Sequence, residues 1–588
     1  MKLKASRFRN EEELLMEKAK VYGIDLGTTY SVIATLDDHG MPKVITNQDD
    51  NSDLLASAVY FQDGAAPVVG EVAKNQKDFE PERVVEFVKR YIGKPDAQTY
   101  EFDGVKYDPI TISALILKRM KEYADAQGED VKNVVITCPA YFGNEEEAAT
   151  RQAGIIAGLN VMNIVHEPVA AAINYCAHEF NENRKIMVYD LGGGTFDITL
   201  FDFIVGDDGK TQIDVIKTGG DDRLGGIDWD DRMFHYICEK YAYENGINEE
   251  EIDEETSDII KGLVEQTKRD LSQLTKKSIQ FRTSSDRQRL DLTQEEFTER
   301  TKDLVERTLD FVHQLLSDVG LGTEDVDLVL LVGGSTLMPM IKSAVEELFP
   351  GKVRLEEPNL AVAKGAALSA AMEWNERIVD IQKKIDDGET ITKEDMEKLG
   401  VDEDSDDVEE VIKETVENKG AIDIPGHLKP VNNKLAHSLG PAVFVEDDSY
   451  MIDNLLLVGN EIPAEAERVY GTRTDNAAEI VVNVYENVSK DAHVTPSFDP
   501  EGNPQYTDPE LKVKHIGEVH LQLPPNTPKG SPIRVIFRSS TIGLEVTAIN
   551  VETGESANAV IESANTLSEQ ELKEAKSRFE GIQTSGQI

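Results

Sequence analysis

Two aspartates, three glycines and a threonine stand together in Ile186–Phe203, IMVYDLGGGTFDITLFDF: Asp190, then Gly192, Gly193, Gly194 and Thr195, then Asp197. Glycines carry no Cβ and permit φ > 0, so a phosphate can come close to the backbone N–H groups of such a turn. Two carboxylates beside an anion site call for a cation. Mg2+ is the hard ion that takes carboxylates, waters and phosphate oxygens together. The apolar run up to Tyr189 and the alternation of Phe196, Ile198 and Leu200 predict a β-hairpin folded over the glycines. A P-loop and a dinucleotide-binding turn both run from strand into helix, so neither fits.

The elements that must hold this turn occur twice. Val21–Thr35, VYGIDLGTTYSVIAT, repeats the scheme with Asp25, Leu26, Gly27, Thr28 and Thr29 between two strand patterns. Downstream of each hairpin comes a buried strand, a loop and a helix: VVITCPAYF before the run from Glu145, and LVLLVGGST before the run from Pro339. Two similar halves imply two facing lobes, with both Asp-Leu-Gly turns and the Gly333-Gly334 turn opening into the cleft between them.

IDLGTTYS, VITCPAYF, HEPVAAAINY, YDLGGGTFD, RLGGIDWDDR and LVGGST also stand in a familiar order. From about Val21 to Met372 the chain resembles the nucleotide-binding domain of the heat-shock-70 (DnaK-type) chaperone family. The resemblance implies an α/β fold: an actin-like two-lobed ATPase domain built of duplicated ribonuclease-H-like halves. It implies slow hydrolysis of ATP to ADP and phosphate, with Asp25, Asp190 and Asp197 holding Mg2+ mostly through water and K+ as an additional ion. Lys89 falls where the family positions the attacking water, and one ammonium there both orients the nucleophile and offsets developing charge. Glu167 is implied as an acid near the metal and the water, and Thr195 as a contact to the γ-phosphate. Gly27, Thr28, Thr29, Tyr30, Gly192, Gly193, Gly194, Gly225 and Gly226 are implied to line the nucleotide. Glu265, Lys268, Arg269 and Ser272, at three- and four-residue spacing on one helix face, match the adenosine-binding helix, with Gly333, Gly334 and Ser335 on the other edge. Two positions depart from the family: Leu337 replaces an arginine that stacks on adenine, and Asn359 replaces an acid. Altered nucleotide affinity is expected there.

Composition bounds the partners. The chain has 588 residues, 40% of them hydrophobic, enough for several domains with sizeable cores. A net charge of −50 argues against nucleic acid or an anionic membrane, which would repel such a surface. Cys138, Cys176 and Cys238 are far apart and lack CxxC spacing, so neither a disulfide framework nor a zinc site is expected and a reducing compartment is; no signal-peptide core or membrane span is visible, and a cytoplasmic location follows. Residues 1–20 read as a charged extension.

Several stretches carry local expectations. Val84, Val85 and Val88 predict a helix over Phe79–Ile92, with Lys89 and Arg90 on its flank. Gly143–Thr150, GNEEEAAT, carries three glutamates where the family is more basic, which puts communication with the next domain in question. The nucleotide-binding domain is assigned to 21–375. Residues 376–434 lack the family's apolar linker and read as an acidic insertion with two amphipathic helices, around Ile378, Ile381 and Ile385 and around Val408, Val411 and Ile412. A solvated spacer is the favoured reading; the sharper one is a regulatory segment docked on the first domain.

From 435 to 562 the periodicity alternates, and a weaker resemblance implies the family's β-sandwich, which grips extended apolar peptide. Phe444, Met451, Ile480 and Val482 are candidate pocket residues, with Arg473 over the peptide. The run 488–512 reads as an insertion loop, and 563–588 as the start of a helical lid followed by a tail. Unfolded or extended apolar peptides, J-domain proteins and nucleotide-exchange co-chaperones are the implied partners. The alternatives are an ATP-binding scaffold with one dedicated protein partner and, less favoured, a small-molecule kinase on the same fold.

Overall fold

The apolar segments flanking each glycine turn pair into two sheets of the same strand order. The computed structural model describes residues 19–94, 97–179, 182–206, 211–283, 286–355, 357–401, 408–424, 435, 437–444, 450–495, 497–498, 504–505, 511, 513–540, 543–561 and 566–587. In the first lobe β1 (Val21–Asp25), β2 (Tyr30–Leu36) and β3 (Pro42–Val44) form an antiparallel meander. β4 (Asn133–Cys138) pairs parallel with β1, and β5 (Asn160–His166) parallel with β4. The second lobe repeats this with the meander β6 (Arg184–Leu191), β7 (Phe196–Val205) and β8 (Thr211–Asp221), then β9 (Leu328–Val332) and β10 (Val353–Leu355) parallel to it. The molecule is mixed α/β with several sheets, and its first part is a structural duplication.

The sequence explains the difference between inner and outer strands. Every residue of β4 and β9 is buried, so β9 is a continuous apolar run and β4 is interrupted only by Asn133 and Thr137. Helices pack on them: α1 (Asn144–Ile156) on β4, and α2 (Glu167–Glu179) on both β4 and β9, while α3 (Glu254–Gln273) lies farther out in the second lobe. α4 (Ala361–Asp387) crosses back to lie against β1 and α2. That crossing needs small residues, since a Cβ on Gly365 would sit 1.7 Å from the Ala170 carbonyl oxygen.

Residues 79–92 are not a helix. Pro81–Arg83 forms a 3-10 turn, Val84–Glu86 a strand paired to Ala58–Tyr60, and Val88–Tyr91 a second 3-10 turn after Phe87 at φ 59°. β-Branched valines spaced for a helix also suit a buried strand, and an available sheet edge decides between them.

The acidic junction also departs from expectation. α4 runs without a break through 375/376 to Asp387, so Ile378, Ile381 and Ile385 belong to a helix of the first domain. α5 (Lys393–Lys398) and α6 (Val408–Lys419) follow. Met396, Leu399, Ile412 and Val416 are buried in one apolar cluster with Met162, Val165 and Trp374. Arg377 donates to the carbonyls of Lys398 (2.6 Å) and Met162 (2.7 Å), and Asn375 exchanges hydrogen bonds with the backbone of Ile422 (2.7 and 2.9 Å). The described part of this segment is packed, not a solvated spacer: its apolar side chains face the first domain, and the one buried acid, Asp395, is paired with Lys384. The expected acidic loop at 402–407, residues 1–18, 425–434 and much of 488–512 lie outside the described residues.

Beyond 435 come two antiparallel sheets. One holds β11 (Ser438–Phe444), β12 (Tyr450–Asp453), β14 (Glu479–Asn487), β15 (His493–Val494) and β16 (Lys514–Gln522); the other holds β13 (Ala464–Gly471), β17 (Pro532–Ser540), β18 (Gly543–Asn550) and β19 (Ser556–Ile561). Val484, Val519, Phe537 and Val546, drawn from both sheets, share one apolar core. α7 (Glu569–Glu580) then returns to the first lobe, where Ala575 and Phe579 join the core. Gln152 exchanges hydrogen bonds with the Leu567 backbone (2.6 and 2.8 Å), and Ser585 bonds the backbone of Val69 (2.8 Å) and Pro67 (3.1 Å).

Candidate functional site

A cavity of about 380 Å3 opens between the lobes, and both hairpin turns reach it. Asp25 ends β1, and its carboxylate accepts from Thr137 Oγ1 at 3.4 Å. Asp190 and Asp197 are register partners on β6 and β7, either side of the three glycines. The turn is closed by Gly192 N–H donating to the Thr195 carbonyl (3.0 Å) and braced by Gly226 N–H and Ser335 Oγ, which both donate to the Gly192 carbonyl at 3.0 and 2.8 Å. No side chain fits at Gly193, where a Cβ would meet Thr29 Oγ1 at 2.3 Å, so the Thr29 side chain of the first lobe's turn rests on the bare backbone of the second. Gly194 and Gly225 are packed against each other in the same way.

Lys89 and Glu167 form an ion pair at the floor, Lys89 from the 3-10 turn and Glu167 from the first position of α2. Lys89 is 5% exposed, so it is no solvated flank residue. Burial depresses its pKa, but Glu167 and Asp25 together outweigh that and hold it above the usual lysine value. The acids behave oppositely. Burial, reinforced by Glu167, pushes Asp25 up to about 7 and Asp190 and Asp197 well above the carboxylate range. Asp197 Oδ1 is buried without a hydrogen-bond partner. Buried carboxylates this short of positive charge, one with an orphaned oxygen, fit a hard divalent cation such as Mg2+.

The opposite wall carries the adenosine-helix residues. Lys268 Nζ donates to the Gly226 carbonyl (2.8 Å) and pairs with Asp230 (2.8 Å), while Arg269 pairs with Glu265 (2.6 Å) and lies over the Tyr30 ring, 5.0 Å from its centroid. Ser272 Oγ donates back to the Lys268 carbonyl at 2.9 Å. Gly333, Gly334, Ser335, Leu337 and Asn359 complete the lining; Leu337 is 46% exposed and presents its side chain to the cavity. Of the nucleotide and metal positions singled out in the sequence, Asp197, Gly194 and Gly225 stand just behind the lining and the rest are in it.

Sequence reading missed three groups. Lys74 bonds Tyr30 Oη (2.8 Å) and pairs with Glu265, which ties the lobes across the cleft. Arg90 donates to the Gly194 carbonyl through Nε (3.1 Å) and Nη2 (2.5 Å), and Asp230 anchors Lys268. Each is a charge on an otherwise ordinary surface pattern, and only the folded cleft gives it a partner.

The candidate peptide residues do not converge in the same way. Val482 is in the core of the β unit and Ile480 packs against that core. Phe444 is exposed, tilted against Tyr450 with ring centroids 3.9 Å apart and covered by the Arg473 guanidinium at 3.7 Å, with Met451 half-buried on the neighbouring strand.

The β unit touches the first lobe through Lys514, ion-paired with Glu145 at the start of α1. Among the described residues no helix is long and apolar enough to cross a membrane.

Comparison with known proteins adds to this geometry. A family model described as Hsp70 protein matches residues 21–100 and 94–414. Chaperone protein DnaK of Thermotoga neapolitana is 39% identical over 366 residues, covering 60% of this chain and 60% of that protein. Chaperone protein DnaK of Thermotoga maritima matches to the same extent. The chain spans about 60% of the length of the curated relatives it matches.

Proposed function

Because this chain belongs to the Hsp70 protein family, we propose that it is an ATP-driven chaperone in which nucleotide state controls the grip of the C-terminal β unit on extended apolar peptide. The observation that carries this reading is the interlobe cleft, where a buried Lys89–Glu167 pair, three raised aspartates and two bare glycine turns meet.

In that reading the reaction is ATP plus water to ADP plus phosphate. The triphosphate lies against the turns at Gly27–Thr29 and Gly192–Thr195, and adenosine lies between α3 and Gly333–Leu337. Lys89, fixed by Glu167, orients the attacking water and offsets charge that develops on the γ-phosphate. Asp25, Asp190 and Asp197 would hold Mg2+, mostly through water, and that ion would neutralise the triphosphate; K+ would serve as an additional ion. The β unit, with Phe444, Met451, Ile480 and Val482 as candidate contacts, takes unfolded or extended peptide. J-domain and nucleotide-exchange co-chaperones are the proposed protein partners. The proposed compartment is the cytoplasm, in keeping with three buried free cysteines.

The test is the dissociation rate of a fluorescent extended apolar peptide with and without Mg-ATP. Faster release with ATP supports the chaperone reading. Peptide binding that ignores ATP, or no binding, replaces it with an ATP-binding scaffold serving one dedicated partner.

A further inference from the structure

Behind the floor of the cleft, three side chains with metal-ligating atoms converge: Cys138, Glu147 and His166, whose Sγ, carboxylate oxygen and ring nitrogen all lie within 4.8 Å of one another. The backbone brings them together. Cys138 ends β4 and His166 ends β5, and the two are register partners in a parallel pair, so their side chains are neighbours about 4.8 Å apart along the hydrogen-bonding direction. Glu147 lies in the first turn of α1, which packs over both strands, and its Oε1 is 3.0 Å from His166 Nε2. Cys138 is fully buried and His166 is 9% exposed.

The donor set selects the ion. One sulfur, one imidazole nitrogen and one carboxylate oxygen suit a borderline metal such as Zn2+, whereas Mg2+ takes oxygen alone. Three protein ligands leave a fourth tetrahedral position for water, and ligand-to-metal distances of about 2.0–2.3 Å require only a small closing of the present triangle. The charge also balances. A divalent ion with one thiolate, one carboxylate and one neutral imidazole carries no net charge, which a buried position tolerates.

We propose that Cys138, Glu147 and His166 bind one Zn2+-class ion, which pins the start of α1 to the ends of β4 and β5. On binding, the Cys138 Sγ–H bond breaks, its proton leaves to solvent and the sulfur electron pair goes to the metal; the proton between Glu147 and His166 Nε2 is relocated through solvent to Nδ1, so the imidazole stays neutral, its Nε2 lone pair binds the metal, and ligation replaces the Glu147–His166 hydrogen bond. The site sits between the two working ends of the molecule. His166 adjoins Glu167, and the backbone of Ala140 and Tyr141, just past Cys138, bonds Asp197. Glu145, two residues before Glu147, holds Lys514 of the β unit. An ion here stiffens the short path from the cleft to that contact, and it is separate from the Mg2+ of the proposed ATPase.

The experiment uses the full chain, stripped with chelator and titrated with Co2+ in excess Mg2+ without nucleotide. One equivalent should bind and give thiolate-to-cobalt charge-transfer absorption, and Zn2+ should displace it. Cys138→Ala should abolish that absorption, while Glu147→Gln and His166→Gln should each weaken affinity at least about tenfold. Circular dichroism checks that each variant folds, and the unmodified chain decides the matter even if one does not. Failure of the native chain to take up Co2+ or Zn2+, or charge transfer persisting in Cys138→Ala, overturns the proposal. Neither outcome depends on ATP hydrolysis, so the family reading stands or falls separately.

Discussion

Lys514 and Glu145, 369 residues apart in sequence, form the ion pair that joins the β unit to the first lobe. Glu145 is almost fully buried and lies in the acidic helix start that departs from the family pattern. The departure thus has a local partner: a basic residue on the facing strand. Reversing one charge, Lys514→Glu, should put two carboxylates in contact and release the β unit, seen as expansion in small-angle scattering. The double exchange Glu145→Lys with Lys514→Glu should restore the compact form. Scattering that is identical for all three would show that the pair does not hold the units together.

Lys89→Ala should lower ATP turnover at least about a hundredfold while leaving nucleotide binding within a few-fold, because in the proposed mechanism Lys89 orients the attacking water. Phosphate release and fluorescent-nucleotide affinity separate the two effects. Near-native turnover would sink the assigned role. The variant should also melt lower, since Glu167 is left as a buried charge without its partner.

Asp395 gives a pH-dependent prediction. It is buried, yet Lys384 (2.6 Å) and the Thr392 backbone N–H (2.9 Å) and hydroxyl overcome the effect of burial and hold its pKa below the usual aspartate value. A carboxylate lowered in the folded state stabilises above its unfolded pKa, near 3.9, and loses that contribution as pH falls through the folded value. Asp395→Asn should therefore cost about 1–2 kcal/mol at neutral pH and progressively less below about pH 4. Thermal melts across that range check this; an equal cost at all pH values would mean a packing effect instead.

Phe579→Ala removes a fully buried ring from the first-lobe core and should weaken docking of 566–587 by about 3–5 kcal/mol. Hydrogen exchange of that segment should speed up while β6 and β9 stay protected. Unchanged exchange would mean that Leu567 and Ser585 suffice to hold it.

What could be read from the sequence was whatever is local. The Asp-Leu-Gly turns announce their hairpins because strand, acid and glycines are adjacent, and the two hairpins match each other in both order and pairing. The helix spacing of Val84 and Val88 misleads because Val84 enters a strand on an open edge while Val88, beyond the turn at Phe87, starts a 3-10 turn. Val408, Val411 and Ile412 read as part of a solvated spacer because acids dominate the composition, although that apolar stripe is what packs. Lys74 with Glu265, Gln152 with Leu567 and Cys138 with His166 are pairs made by the fold, and nothing within a few residues of either member signals the other.

The return of residues 566–587 to the first lobe has a mechanical consequence. The β unit is moored on one side by the Asn375–Ile422 contacts and on the other by Phe579 and Ser585. A body tethered at one point swings freely, but one tethered at two turns only about the line between them. The Lys514–Glu145 pair adds a third point, so while all three hold the unit is clamped like a plate, and freeing that pair alone leaves a hinge about the line between the other two.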